Sequence, residues 1–162
     1  MSALVQITVG LPLALGIVVL SAYDLRQGIL PNRWVLLLAL AAVACRCLLF
    51  TGSLPAGGFA GSAVGGLLVG GGTLALLRWL SHGGLGGGDV KFAAALGLWL
   101  GTGGTLVMLA VAFVAGGALA AVLLAKGTQR RTVPFGPFLG VAAWLAWLFG
   151  PAWLAWYEVL LW

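Results

Sequence analysis

The chain has 162 residues, of which 62% are hydrophobic and 7% charged, against roughly 25% charged in a typical soluble domain. With a mean hydropathy of +1.16, a soluble fold is excluded, and what remains is an all-α polytopic membrane protein, read as a single domain over 1–162 with no separate soluble module. Eight Lys and Arg against three acids leave a net charge of +5, so each acid, Asp24, Asp89 and Glu158, needs a physical reason to be present.

A hydrocarbon core of about 30 Å takes roughly 20 apolar residues per helix. Counting apolar runs between charged or turn-rich breaks predicts about six transmembrane helices, near 4–23, 34–50, 59–80, 90–103, 105–125 and 137–157. The first run has no Lys or Arg before Arg26 and no small-residue cleavage site after it, so it reads as a span and not as a cleaved signal peptide. In the second, Cys45 and Cys47 stand two residues apart on different sides of a helix and read as buried free thiols. The chain carries no CxxC pair, so no metal and no cofactor is expected. The third run contains Gly61-x-x-x-Gly65 and Gly66-x-x-x-Gly70, and the fifth Ala112-x-x-x-Gly116; small residues at this spacing let helices in lipid approach closely. Only Gly101, Thr102, Gly103 and Gly104 part the fourth run from the fifth.

Cations fix the orientation, because Lys and Arg of short loops stay on the cytoplasmic side. Arg26 and Arg33 follow span 1, Arg78 and Lys91 flank the loop between spans 3 and 4, and Lys126, Arg130 and Arg131 follow span 5. All seven share one face if the chain crosses six times with both termini on the extracytoplasmic side. Arg46, near the outer end of span 2, is expected to snorkel outward. Trp34, Trp79, Trp99, Trp153 and Trp156 near span ends fit interfacial anchoring. These cations fit anionic lipid headgroups at the membrane surface, and no nucleic-acid partner is expected.

On this topology span 1 ends at Asp24 on the inner face and span 4 begins there just after Asp89. Two carboxylates at one level can share a proton, so that one acts as base while the other acts as acid. Such a pair can activate water against a peptide carbonyl without a metal or a covalent intermediate. Taken singly, Asp24 could close a helix beside Arg26 or Arg33, and Asp89 could cap the N-terminus of span 4.

Gly86-Gly87-Gly88-Asp89 fits G-x-G-D. Together with Asp24-Leu25-Arg26-Gln27-Gly28-Ile29-Leu30-Pro31-Asn32 and Pro134-Phe135-Gly136-Pro137-Phe138, in that order, it resembles the aspartyl prepilin peptidase family, or type IV leader peptidases. The resemblance implies a GxGD-type intramembrane aspartyl protease of the bacterial inner membrane with Asp24 and Asp89 as catalytic acids. It implies prepilins or pseudopilins as substrates, cut after a short basic leader at the cytoplasmic face. Larger members of that family carry a cytoplasmic insertion with paired CxxC motifs and also methylate the new pilin N-terminus. This chain has neither, so the resemblance is to a short, peptidase-only form of the kind associated with tight-adherence pili.

Supporting roles are expected at several positions. Gly86 and Gly88 would let a backbone pass close to a substrate strand. Lys91 would pair with a phosphate headgroup or with a site carboxylate, or simply anchor the helix. Pro134, Gly136 and Pro137 would prevent regular helix before span 6 and border the site. Asn32 would bond a backbone group or orient Asp24, and His82 reads as solvated. A different reading keeps Asp24 and Asp89 as the proton or cation relay of a small transporter or channel. It would need neither the GxGD context nor the Pro-Phe-Gly-Pro segment.

Overall fold

The computed structural model describes the backbone of residues 3–50, 56–126 and 135–161, with side chains described at 9–47, 61–123, 125–126, 135–150 and 152–153. Pro134, Arg130 and Arg131 lie outside the described residues, as do the side chains of Trp156 and Glu158. Every described element is helical: α1 (Ala3–Gln27), α2 (Asn32–Phe50), α3 (Ala56–Leu80), α4 (Gly87–Ala125) and α5 (Gly136–Leu161). Val9–Gln27, Gly61–Leu80 and Gly87–Leu123 are each long and apolar enough to cross a membrane, and Gly136–Gly150 is a shorter apolar stretch of α5.

The expected four-residue separation between the fourth and fifth runs shrinks to one residue. Helix occupies 87–125, and only Gly101, at φ 71° and ψ −179°, leaves helical geometry. A side chain there would be strained at positive φ, so a glycine is what the turn requires. The contacts of α3 show what this break does. Gly66 meets Gly97 and Gly70 meets Ala93, so 87–100 runs antiparallel to α3; Gly65 meets Thr102 and Gly70 meets Thr105, so 102–125 runs parallel to it. The long helix therefore doubles back at Gly101, and its two halves lie side by side.

A chain reversal in apolar surroundings frees carbonyls that must find donors. Thr105 Oγ1 donates to Gly101 O at 2.6 Å, and Arg46 Nη2 donates to Trp99 O at 2.9 Å. Arg46 therefore does not snorkel outward as expected: its guanidinium, half-buried, turns inward to the broken helix, where a desolvated carbonyl accepts it. Trp99 departs from expectation too. It is 3% exposed, and its indole Nε1 donates to Leu38 O at 3.0 Å, so it belongs to the α2–α4 packing and not to an interfacial belt. Trp34, Trp79 and Trp153 are exposed as anchors would be. Cys45 is half-buried and Cys47 exposed on the outer face of α2, a correction to the expected pair of buried thiols.

Glycine sets the α3–α4 distance. A Cβ on Gly66 would collide with the Gly97 carbonyl, and one on Gly97 with the Gly66 carbonyl, so the two backbones touch directly. Gly65 and Gly70 join that interface, while Gly61 meets no other helix among the described residues, so there the first of the two expected glycine pairs works through one member only. Further along, Gly116 receives the Phe135 ring at the start of α5. Helix α4 touches α2, α3 and α5, and α1 touches α2 and α5. The core they enclose includes Leu13, Leu20, Leu38, Leu74, Phe92, Leu96, Met108 and Leu139. Large apolar side chains such as Leu15, Val18, Leu36, Leu68 and Val114 point outward, the arrangement a bundle adopts when its solvent is lipid.

Candidate functional site

Helix α1 continues four residues past its expected end, so Asp24 lies inside its last turn. Gly28, at φ 62°, closes the helix by donating its N–H to Asp24 O at 2.8 Å, the αL cap that glycine provides. The chain then runs through Leu30, which is buried, to Pro31, whose carbonyl accepts from Val35 N at 3.3 Å and so starts α2. The Gly28–Pro31 sequence thus turns the chain in four residues and holds Asp24 at the end of the bundle.

Asp89 is placed by a second local device. Gly86 precedes α4, and Asp89 stands three residues on, in the first turn, where its carboxylate accepts the Gly86 N–H. This is the reach-back half of a capping box, in which a side chain at the third helical position satisfies the backbone just before the helix. A Cβ on Gly86 would lie 2.9 Å from Asp89 Oδ2. The glycine therefore leaves room for the carboxylate. Gly88 also makes a close approach within the chain: a Cβ there would lie 2.8 Å from Leu30 Cβ, in the α1–α2 turn. Through that contact the segment carrying Asp24 and the segment carrying Asp89 are locked together.

The third motif meets the first. Gly136 opens α5, and its N–H donates to Asp24 Oδ2 at 3.0 Å. It is one of the free N–H groups at a helix N-terminus, which favour an oxygen acceptor. A Cβ on Gly136 would lie 2.5 Å from that oxygen. The expectation that Gly136 and Pro137 prevent helix is corrected: both sit in the first turn of α5, where proline loses no intrahelical hydrogen bond. The Gly136 contact places that residue against Asp24. Pro134 lies outside the described residues.

Asp24 is 6% exposed and Asp89 8%, and the charge on Asp24 is close enough to act on Asp89. Two carboxylates from the first and fourth helices are thus buried together at one end of the bundle, each held by a glycine N–H. Lys91 and Asn32 stand at the same end but pair with each other, Nζ to Oδ1 at 2.9 Å, joining the starts of α4 and α2 across the exposed surface. Among the described residues, Asn32 forms its side-chain hydrogen bond with Lys91 and none with Asp24. His82 is exposed, as expected, but it also has a backbone role. At φ 49° it is the left-handed residue that ends α3, with His82 N bonded to Trp79 O and Gly83 N to Arg78 O in the two-bond helix stop that glycine usually supplies.

Two residues beside the site were not singled out in the sequence. Ser21, one helical turn before Asp24, has a buried Oγ with no hydrogen-bond partner among the described residues. It faces Gly140, where a Cβ would come within 2.9 Å of that oxygen. The signal was available, because Gly136-x-x-x-Gly140 is a glycine pair at helix-packing spacing and Ser21 and Asp24 share a helix face. Among the described residues, no group of His, Cys, Asp and Glu is arranged to hold a metal.

The fold and the site together define a helical protein with membrane-length apolar helices and a buried carboxylate pair at one end. The chain belongs to the type IV leader peptidase family, whose pattern matches residues 11–121. It is 35% identical over 142 residues to a prepilin leader peptidase/N-methyltransferase of Xanthomonas campestris pv. campestris, covering 83% of this chain and 47% of that protein. An Aeromonas hydrophila protein of the same description is 31% identical over 178 residues, covering 97% of this chain and 59% of its own. Leader peptidase HopD of Escherichia coli is 36% identical over 142 residues, covering 79% of this chain and 84% of that protein. The chain thus spans about half the length of the first two relatives and most of the third. No solved structure matches it.

Proposed function

We propose that this protein is an aspartyl endopeptidase of the bacterial inner membrane that removes the leader from type IV prepilins or pseudopilins. The observation that carries the proposal is the burial of Asp24 and Asp89 together, each held by a glycine N–H. In the mechanism, one carboxylate takes a proton from water as the water oxygen attacks the scissile carbonyl. The other, protonated, donates to the developing oxyanion, and the proton then passes to the leaving amine. The glycine N–H groups hold the two carboxylates in place while their protons move. No metal or cofactor takes part.

Six crossings, with both termini outside and the carboxylates at the cytoplasmic face, fit the doubled α4 and the cations at the aspartate end, where Arg26, Arg33, Arg78, Lys91 and Lys126 are exposed. That face is where a basic leader would lie against anionic lipid. We read the chain as peptidase alone, without N-methyltransferase activity. It lacks CxxC pairs, and the relative from Escherichia coli, most of whose length it spans, is named only as a leader peptidase.

The test is cleavage of a co-expressed prepilin, followed as a mobility shift, by the parent and by Asp24→Asn and Asp89→Asn at matched membrane levels. Each substitution keeps size and removes the titrating proton, so each alone is expected to lower the rate by about 10³-fold. Near-parent cleavage by either variant would remove the two-carboxylate mechanism. Failure of the parent on every prepilin offered would return the pair to a proton relay, which a flux assay reads.

A further inference from the structure

The end of α3 and the first turn of α4 enclose a second site, separate from the carboxylates. It is an open groove of about 510 Å³ whose wall includes Arg78, Trp79 and His82 from α3 and its turn, and Gly87, Val90 and Lys91 from α4. Gly87, Val90 and Lys91 are spaced i, i+3, i+4 and share one helix face, whereas Asp89 projects from the opposite side. Among the described residues, no acid lines the groove.

The two permanent cations are held in place with donors to spare. Arg78 Nη1 gives one N–H to Leu85 O at 2.5 Å, and Lys91 Nζ gives one to Asn32 Oδ1 at 2.9 Å. A guanidinium has five N–H groups and an ammonium three, so most donors of both remain for an anion. Beside them Trp79 is 74% exposed, an amphipathic ring at the end of a membrane-length helix, where such rings sit at headgroup level. A cationic rim, an exposed indole and the apolar wall of Val90 together suit a ligand that is anionic at one end and apolar at the other. A free anion would use only the rim.

We propose that this groove binds the phosphodiester headgroup of an anionic phospholipid, with Arg78 and Lys91 on the phosphate oxygens and Trp79 beside the glycerol. Basic pockets between membrane helices recognise such headgroups. The lipid bridges the α3 end to the α4 start, and so braces the turn from which Asp89 projects.

The experiment uses the full chain in phosphatidylcholine nanodiscs, titrated with phosphatidylglycerol and read by native mass spectrometry as lipid retained per protein. The parent is expected to retain one phosphatidylglycerol, and Arg78→Gln with Lys91→Gln to weaken retention roughly thirtyfold. Arg33→Gln with Lys126→Gln removes the same charge outside the groove and should leave retention within about twofold of the parent. Equal loss in both pairs would overturn the proposal in favour of a diffuse surface field. If inorganic phosphate at millimolar concentration displaces the lipid, the site is one for a free anion and the proposal also fails. Because Arg78 holds the α3–α4 turn, His82→Gln with Lys91→Gln keeps that contact and is run in parallel. Retention by this pair equal to the parent's would likewise overturn the proposal, provided helicity and elution show it folded.

Discussion

At the residue scale, the site depends on hydrogen atoms where side chains would otherwise stand. Gly136 is the sharpest case: its N–H reaches Asp24 Oδ2 at 3.0 Å only because no Cβ occupies the place 2.5 Å from that oxygen. Gly136→Ala should therefore push the carboxylate aside and lower prepilin cleavage by about 100-fold, the cost that small misplacements of reacting groups carry. Measured on membranes with matched protein levels, wild-type rates would show that the hydrogen bond has no part in the reaction. Ser21 supplies a contrast one turn deeper. Its hydroxyl is buried without a partner among the described residues, so Ser21→Ala removes an unsatisfied group and should leave thermal stability unchanged or raised by up to about 1 kcal/mol. A fall of more than that in a melting assay would mean that the hydroxyl is satisfied in the folded protein.

At the element scale, the informative feature is the reversal of α4. One glycine at positive φ turns the helix back, and Thr105 and Arg46 satisfy the carbonyls at Gly101 and Trp99. Arg46→Met keeps the apolar stem and leaves the Trp99 carbonyl without that donor, which should cost about 1–3 kcal/mol and lower the unfolding midpoint in detergent, with no direct effect at the carboxylates at the other end of the bundle. A midpoint equal to that of the parent would show the contact to be energetically idle. The α3–α4 seam was visible in the glycine pairs of span 3, but which pairs engage was not. Gly66 and Gly70 meet α4 and Gly61 meets none of the described residues, because helix rotation is set by all the neighbours at once and not by one helix's own pattern.

At the scale of the whole molecule, orientation and the meeting of the two acids are the properties that matter. If the aspartate end faces the cytoplasm, a cysteine in the exposed α3–α4 turn should react with a membrane-impermeant maleimide only from that side. Ser81→Cys in a Cys45→Ala, Cys47→Ala background should label in inverted vesicles and not in right-side-out cells; the reverse pattern would invert the topology.

The sequence by itself determined the apolar, all-helical character of the chain and the positions of its few acids, because each follows from composition or from local spacing. Apolar runs of bilayer length must become helices in lipid, and an acid in such a chain is too costly to be incidental. The GGGD and PFGPF segments could also be found as motifs. What they do was decided only in three dimensions. Gly88 accommodates Leu30 of its own chain, Gly136 donates to Asp24, Lys91 pairs with Asn32, and Arg46 and Trp99 turn inward to carbonyls. Each of these contacts joins residues far apart in the chain. A donor in a low-dielectric interior goes to whichever acceptor the packing leaves unsatisfied, and that acceptor is defined only when all the helices are in place.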